Sequence, residues 1–254
     1  MSHHVIEIKD LQYVYPDGNK AINEISFKLR HGESVGIVGA NGAGKSTLLM
    51  LILGIIFPVN GNISIGTIPV TKKTLPHIRE KVGMVFQDPD DQLFMNTVYD
   101  DVAFGPRNYK IDEEEVSKRV LKALETVGIL HLKDRAPYKL SGGEKRSASI
   151  AAILSMHPEI LIMDEPTTAL DPKSRRCLIN LLKSFDHTKI IASHDLDMVY
   201  ELCERTIILK DGMIIADGLT SELMINEELL EKCSLEIPLS IQNCPRCGSE
   251  KSYR

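Results

Sequence analysis

The stretch Gly39-Ala40-Asn41-Gly42-Ala43-Gly44-Lys45-Ser46-Thr47 constrains this chain more than any other. It fits G-x-x-x-x-G-K-[ST], follows the apolar run Ser34–Val38 and opens a helix expected over Lys45–Leu53. Strand, glycine loop and helix is the order that lets backbone N–H groups converge on a phosphate. The glycines allow turns that a Cβ would block. Lys45 supplies a point charge for the β- and γ-phosphates, and the Ser46 hydroxyl a ligand for Mg²⁺. The competing reading is a plain Gly-rich turn before a helix, and the flanking strand and helix argue against it. Gly54 is expected to end that helix.

Leu161-Ile162-Met163-Asp164-Glu165 reads as an apolar strand ending in two carboxylates. Beside a phosphate loop, Asp164 is expected on the metal side, acting through water. Glu165, one residue on, is expected to hold an attacking water as general base. Taken alone, the pair reads equally well as a solvated acidic turn before Pro166.

The rest of the chain supplies a frame. Val5–Ile8 alternates, as do Ile25, Phe27 and Leu29, which predicts an antiparallel N-terminal sheet with a turn at Pro16-Asp17-Gly18. Val82–Phe86, Ile160–Met163 and Ile190–Ala192 are continuous apolar runs, as in parallel strands buried on both faces. Ile207–Leu209 and Met213–Ile215 flank Asp211-Gly212, a hairpin signal. From Asp88 to about Ser155 the pattern turns helical. Asp112 caps a helix whose Val116, Val120, Leu124 and Val127 share one face, with Gly128 as its stop. A short helix is expected near Glu222–Cys233, and a polar tail without order from residue 236.

Hydrophobic content of 43% and charged content of 26% over 254 residues allow a sizeable core in a soluble chain. The net charge of -5 argues against broad nucleic-acid binding. Met1–Asp10 does not read as a signal peptide, and Leu48–Phe57, the longest apolar run, is too short to span a bilayer. Any membrane role is therefore expected through a partner. The five cysteines, Cys177, Cys203, Cys233, Cys244 and Cys247, do not form a disulfide pattern and suit a reducing cytoplasm. Cys244-Pro245-Arg246-Cys247-Gly248 resembles one zinc knuckle, with Cys233 as a candidate third ligand or a second pair supplied by a dimer. A chance pair in a tail is the preferred reading, because structural zinc takes four ligands.

Ser141-Gly142-Gly143-Glu144 satisfies the capping box and opens a helix expected from Glu144 to about Met156. A plain box does not need two glycines, which are costly in a first turn. Leu140-Ser141-Gly142-Gly143-Glu144 resembles the signature of ATP-binding-cassette (ABC) ATPases. The resemblance implies an α/β fold: a P-loop NTPase (RecA-like) core with an N-terminal antiparallel β subdomain and an inserted α-helical subdomain. The ATPase domain is then expected over residues 1–235, with the helical part at about 88–155.

The same resemblance implies ATP and Mg²⁺ as cofactors, with two ATPs sandwiched between two protomers. Residues Gly39 to Thr47 then bind the chain's own nucleotide. Ser141, Gly142, Gly143 and Glu144 bind the γ-phosphate held by the other copy. Tyr15 stacks on adenine, with Tyr13 as its rival. Gln87 touches Mg²⁺ and the attacking water, and His194 is the switch histidine at the γ-phosphate. Asp171, in Ala169-Leu170-Asp171, lies in the loop through which the copies communicate. Each has an ordinary reading too: a sheet-edge Tyr, a strand-end Gln, a structural His, a helix-capping Asp. Ser147 departs from the family, many of whose members carry a basic residue there.

Gln87–Phe94, Thr97-Val98 and Asp101–Pro106 are similar to the ATPase subunits of energy-coupling-factor importers, the cobalt, nickel and vitamin uptake systems. This implies a second ATPase copy, identical or related, an integral membrane coupling subunit and a substrate-binding membrane subunit, at the cytoplasmic face of the cell membrane. In that family the segment after the glutamine forms a groove for coupling helices. Leu93, Phe94 and Val98 are expected as its floor, with Asp90, Asp91 and Asp100 or Asp101 as an acidic rim. The rival is a soluble cassette ATPase without a transport role, which predicts long coiled coils, tandem cassettes or basic patches. The sequence shows none of these. A purely regulatory ATP-binding module is opposed by Glu165 and His194.

Overall fold

The alternating segments close first into a sheet. In the computed structural model, which describes residues 4–185 and 187–242, β1 (His4–Val14) pairs antiparallel with β2 (Lys20–Arg30). Ile8 lies opposite Phe27 and Leu11 opposite Ile25, so the apolar sets share one buried face. β3 (Ser34–Val38) is buried throughout, and α1 (Lys45–Ile52) follows it. β4 (Asn60–Ile65) takes the other edge of β1, with Ile63 opposite Ile8, and β5 (Ile68–Pro69) folds back on β4.

The chain forms two compact units, one from residues up to 75 together with those from 189 onward, the other from residues 76–188. After α2 (Leu75–Lys81), the second unit places β6 (Val82–Val85) parallel to β7 (Ile160–Asp164). Between these strands lie α3 (Val98–Asn108), α4 (Glu113–Thr126) and α5 (Gly142–Leu154), and α6 (Pro172–Lys183) follows β7. Val98, Val102, Val116, Val120, Leu124 and Ala148 meet in one buried cluster, as the helical spacing requires. Asp112 caps α4 by accepting from the Glu114 N–H. α5 begins at Gly142, two residues earlier than expected, because Ser141 is its N-cap.

In the first unit, β8 (Thr188–Ala192) and β9 (Arg205–Lys210) flank β3, both parallel to it. α7 (Leu196–Leu202) lies between them in sequence. β10 (Met213–Leu219) returns antiparallel to β9 through Asp211 (φ 50°) and Gly212 (φ 73°), the two positive angles of a type I′ turn. The single helix expected near Glu222–Cys233 is instead two, α8 (Thr220–Leu223) and α9 (Glu227–Lys232). Asn226 caps α9 by accepting from the Leu229 N–H, which stops α8 from running on.

The polar tail is also more ordered than expected as far as Gln242. The Ser240 and Leu239 N–H groups donate to Asp197 at 2.7 and 3.2 Å. Cys244 and Cys247, like His3, lie outside the described residues. Cys233 is buried, and no cluster of three metal-ligating side chains occurs among the described residues. None of the described helices is long and apolar enough to cross a membrane.

Candidate nucleotide-binding site

In the first unit the phosphate loop leaves β3 at Val38 and enters α1 at Lys45. Gly44 precedes the helix at φ 102°, and a Cβ there would stand 2.5 Å from the Ala21 carbonyl. Only glycine meets both conditions. The Gly212 N–H donates to the Ala43 carbonyl at 3.2 Å, so the β9–β10 turn braces the loop from behind. Lys45 is buried, and its Nζ donates to the Gly39 carbonyl at 2.8 Å and the Ala40 carbonyl at 3.3 Å. Ser46 is half-buried in the first turn of α1, while Asn41 and Gly42 are exposed at the loop crest.

Two further candidates lie in this unit. The Tyr15 hydroxyl is 3.0 Å from Thr47 Oγ1, and Tyr13 meets the Tyr15 ring edge-to-face at 4.9 Å. Tyr15, rather than its rival, is the ring tied to the phosphate-loop helix. His194 is exposed after β8, where the Ser193 N–H donates to the Ile37 carbonyl at 3.1 Å. That bond ties the start of the His194 loop to the strand that feeds the phosphate loop.

In the second unit, Asp164 ends β7 and Glu165 follows it, both buried. Glu165 has φ 46°, a left-handed conformation unfavourable for a residue with a Cβ. It turns the chain sharply out of the strand. Gln87 is exposed two residues beyond β6. Asp171 caps α6 by accepting from the Lys173 and Ser174 N–H groups and the Ser174 hydroxyl. These bonds, the Ser174 hydroxyl first, hold its carboxyl below the usual carboxylate range.

The start of α5 is a full capping box. The Ser141 N–H and hydroxyl donate to Glu144 Oε2 at 2.7 and 2.9 Å, and the Glu144 N–H reaches Ser141 Oγ. The two glycines differ. A Cβ on Gly143 would stand 2.6 Å from Ser174 Oγ, whereas one on Gly142 would meet only the Ala169 carbonyl, 3.9 Å away. Gly143 therefore lets α5 and α6 approach, and Gly142 keeps the first turn of α5 free of a side chain.

The groove expected after Gln87 is built differently from its sequence reading. Leu93 and Val98 are core residues, not floor. The exposed apolar pair is Phe94 with Phe104, stacked edge-to-face at 4.9 Å. Asp101 is buried and spends Oδ1 on the Phe94 and Met95 N–H groups at 2.9 and 3.0 Å. Burial pushes its carboxyl above the usual range. Asp100 is paired with Arg107, and Asp90 with Lys145. Asp90 and Asp91 are both exposed.

Sequence reading missed Arg146. It is buried, and it donates from Nη1 to the Phe86 carbonyl and from Nη2 to the Gln87 carbonyl, each at 2.5 Å. Its only sequence signal was a cation one turn inside a glycine-opened helix.

Comparison with known proteins places the whole. A family model described as ABC transporter matches residues 22–168. A Geobacter sulfurreducens protein, whose name goes no further than ABC transporter ATP-binding protein, is 59% identical over 248 residues, 98% of this chain and 100% of that one. The energy-coupling factor transporter ATP-binding protein EcfA of Methanothermobacter thermautotrophicus is 45% identical over 239 residues, 92% of this chain and 77% of that one. The solved structure of CbiO1 from Clostridium perfringens, part of the ABC transporter complex CbiONQ, matches with a TM-score of 0.81 at 40% identity. That match covers 91% of this chain and 94% of CbiO1, and carries the P-loop NTPase fold. By the span of the family match and the closeness of these relatives, the chain belongs to the ABC transporter family, as one of its ATP-hydrolysing cassettes.

Proposed function

We propose that the chain is the ATPase subunit of an energy-coupling-factor importer, powering uptake of cobalt, nickel or a vitamin through membrane partners. The carrying observation is the glycine-opened start of α5. Gly142 is exposed there, and a Cβ on it would make only an ordinary contact with the Ala169 carbonyl. This is a second anion cradle in a chain whose phosphate loop already serves one nucleotide. Its first-turn N–H groups, with Lys145 directly after Glu144, suit a triphosphate brought by another copy. The likeness to EcfA and CbiO1 supports the importer reading.

In this reading Tyr15 stacks on adenine, and residues Gly39 to Thr47 wrap the phosphates. Lys45 exchanges its loop carbonyls for phosphate oxygens. Ser46, Asp164 and Gln87 offer hydroxyl, carboxylate and amide oxygens, the hard donors that suit Mg²⁺. The ion, when bound, offsets charge on the β- and γ-phosphate oxygens. Glu165 accepts a proton from the attacking water, which Gln87 and His194 help to place. Ser141, Gly142, Gly143 and Glu144 close over the other copy's γ-phosphate, and Asp171 carries the contact between copies. Hydrolysis removes the bridging phosphoryl group, and closure reverses.

Phe94 and Phe104, with Asp91 nearby in sequence, form the surface offered to a membrane subunit's cytosolic helices. Peripheral attachment at the cytoplasmic face of the membrane follows from that contact.

Two variants test the cassette reading. Glu165→Gln is expected to bind ATP and to hydrolyse it about 10²–10⁴-fold more slowly. It is also expected to elute as a dimer when loaded with ATP. Adding Ser141→Arg should abolish the dimer and leave ATP binding intact. A fully ATP-loaded Glu165→Gln chain that stays monomeric would sink the sandwich. For the importer reading, the chain should co-purify with an integral membrane protein, and Phe94→Ser with Phe104→Ser should lose it. Retention of the membrane partner by that double variant removes this surface from the role.

A further inference from the structure

The segment from Phe86 to Gln92 is fastened to α5 at three places, and only one of them looks like ordinary packing. Arg146 spans the Phe86 and Gln87 carbonyls with two parallel guanidinium bonds. Lys145 Nζ sits 2.6 and 2.8 Å from the two carboxylate oxygens of Asp90. Gln92 Nε2 donates to the Ser149 carbonyl at 2.9 Å. The three anchors on α5 lie within its first two turns, starting two residues beyond Gly143. On the other side they span the strip from the glutamine to the turn before exposed Phe94.

Arg146 carries the most weight. It is 2% exposed, a cation removed from water. Its Nε finds no acceptor among the described residues. A guanidinium held there on two main-chain carbonyls fixes those two peptides rather than a mobile side chain. Lys145 and Asp90 add a second point that is partly solvated, with side chains 20% and 63% exposed. Such a pair is weak as a source of stability. It is well suited to fixing direction, since Asp90 is thereby drawn toward α5 rather than left as a surface charge.

We propose that Arg146, Lys145 and Asp90 are positioning residues that latch the signature-bearing helix to the Gln87–Phe94 strip, so that the two move as one body. A displacement delivered at Phe94 then reaches Ser141 to Glu144 through side chains rather than dissipating in the turn at Pro89–Asp91. This rests on the cassette reading of the signature given above.

A charge swap tests the latch in the full chain. Lys145→Glu and Asp90→Lys, each alone, are expected to lower ATP turnover about three- to tenfold through like-charge contacts, without changing affinity for a first nucleotide. Amide exchange across residues 87–93 and 141–145 should rise together in both. The Lys145→Glu, Asp90→Lys double variant restores the pair with reversed sign and is expected to recover turnover to within about twofold and exchange with it. Arg146→Lys keeps the charge yet cannot span both carbonyls, and should loosen the same two segments in concert. Losses that add in the swapped double variant overturn the latch, as does recovery of exchange without recovery of turnover. Failure of the sandwich itself reads out elsewhere, in the dimer test on Glu165→Gln with Lys145 and Asp90 intact.

Discussion

The Tyr15 hydroxyl rests 3.0 Å from Thr47 Oγ1, tying the end of the first strand to the first turn of the phosphate-loop helix. The hydroxyl holds the ring in place, and the ring face is what adenine would meet. Tyr15→Ala is therefore expected to weaken ATP binding by about 1–3 kcal/mol, the range for a base stacked on an aromatic side chain. Tyr15→Phe keeps the ring and loses one partly exposed hydrogen bond, about 1 kcal/mol or less. Titration of both variants with ATP decides. Equal affinities for the alanine variant and the parent would assign adenine to another surface.

Gly143 and Ser174 set the distance between α5 and α6. An added methyl would stand 2.6 Å from Ser174 Oγ, an oxygen already donating to Asp171 at 2.6 Å. Gly143→Ala is expected to cost about 1–3 kcal/mol, as overpacked sites do. Adding Ser174→Gly should return most of it. Gly142→Ala, whose added methyl would meet only the Ala169 carbonyl at 3.9 Å, should cost less in thermal unfolding. The reverse order of these two glycine variants would contradict the packing described.

Asp101 is a buried acid that works as a staple. It accepts the Phe94 and Met95 N–H groups, yet burial raises its folded-state pKa above the unfolded value. The folded chain then binds the proton more tightly than the unfolded chain. The contribution of this group to stability therefore falls as pH rises from the unfolded value of about 3.9 through the raised folded one. Asp101→Asn is expected to flatten that part of the stability–pH curve and to stay within about 1 kcal/mol of the parent at neutral pH. Asp101→Leu strands two N–H donors and should cost about 1–3 kcal/mol. Denaturant midpoints across acid to neutral pH check both.

Glu144 titrates in the opposite sense. The Ser141 N–H, then its hydroxyl, holds the carboxyl below its ordinary range. The capping contribution is full above the ordinary carboxylate pKa and disappears as pH falls through the lowered one. Ser141→Ala keeps the N–H bond to Glu144 and loses the hydroxyl, so it should weaken that acid-side dependence without abolishing it and should cost about 0.5–2 kcal/mol of stability. An unchanged pH profile in the variant would show that the hydroxyl contributes nothing in solution.

The sequence by itself determined what short stretches of chain can determine. Nine residues from Gly39 to Thr47 carry their own backbone solution, because glycines, a cation and a helix start act within one loop. The Asp112 and Ser141 caps, the Asp211-Gly212 turn and the β1–β2 alternation are legible for the same reason: each depends on neighbours a few residues away. Tertiary structure decided whatever depends on partners far along the chain. Leu93 and Val98 read as surface floor until the helical core claimed them, and Asp101 read as a rim charge until burial made it a staple. Arg146 found its acceptors 60 and 59 residues upstream, and Lys145 its carboxylate 55 residues away. A local pattern fixes backbone dihedrals and faces, but exposure and ion pairing are set by which distant elements pack together. That is why the glycine loop and the helix it opens could be read from the letters, and the fastening of the signature helix could not.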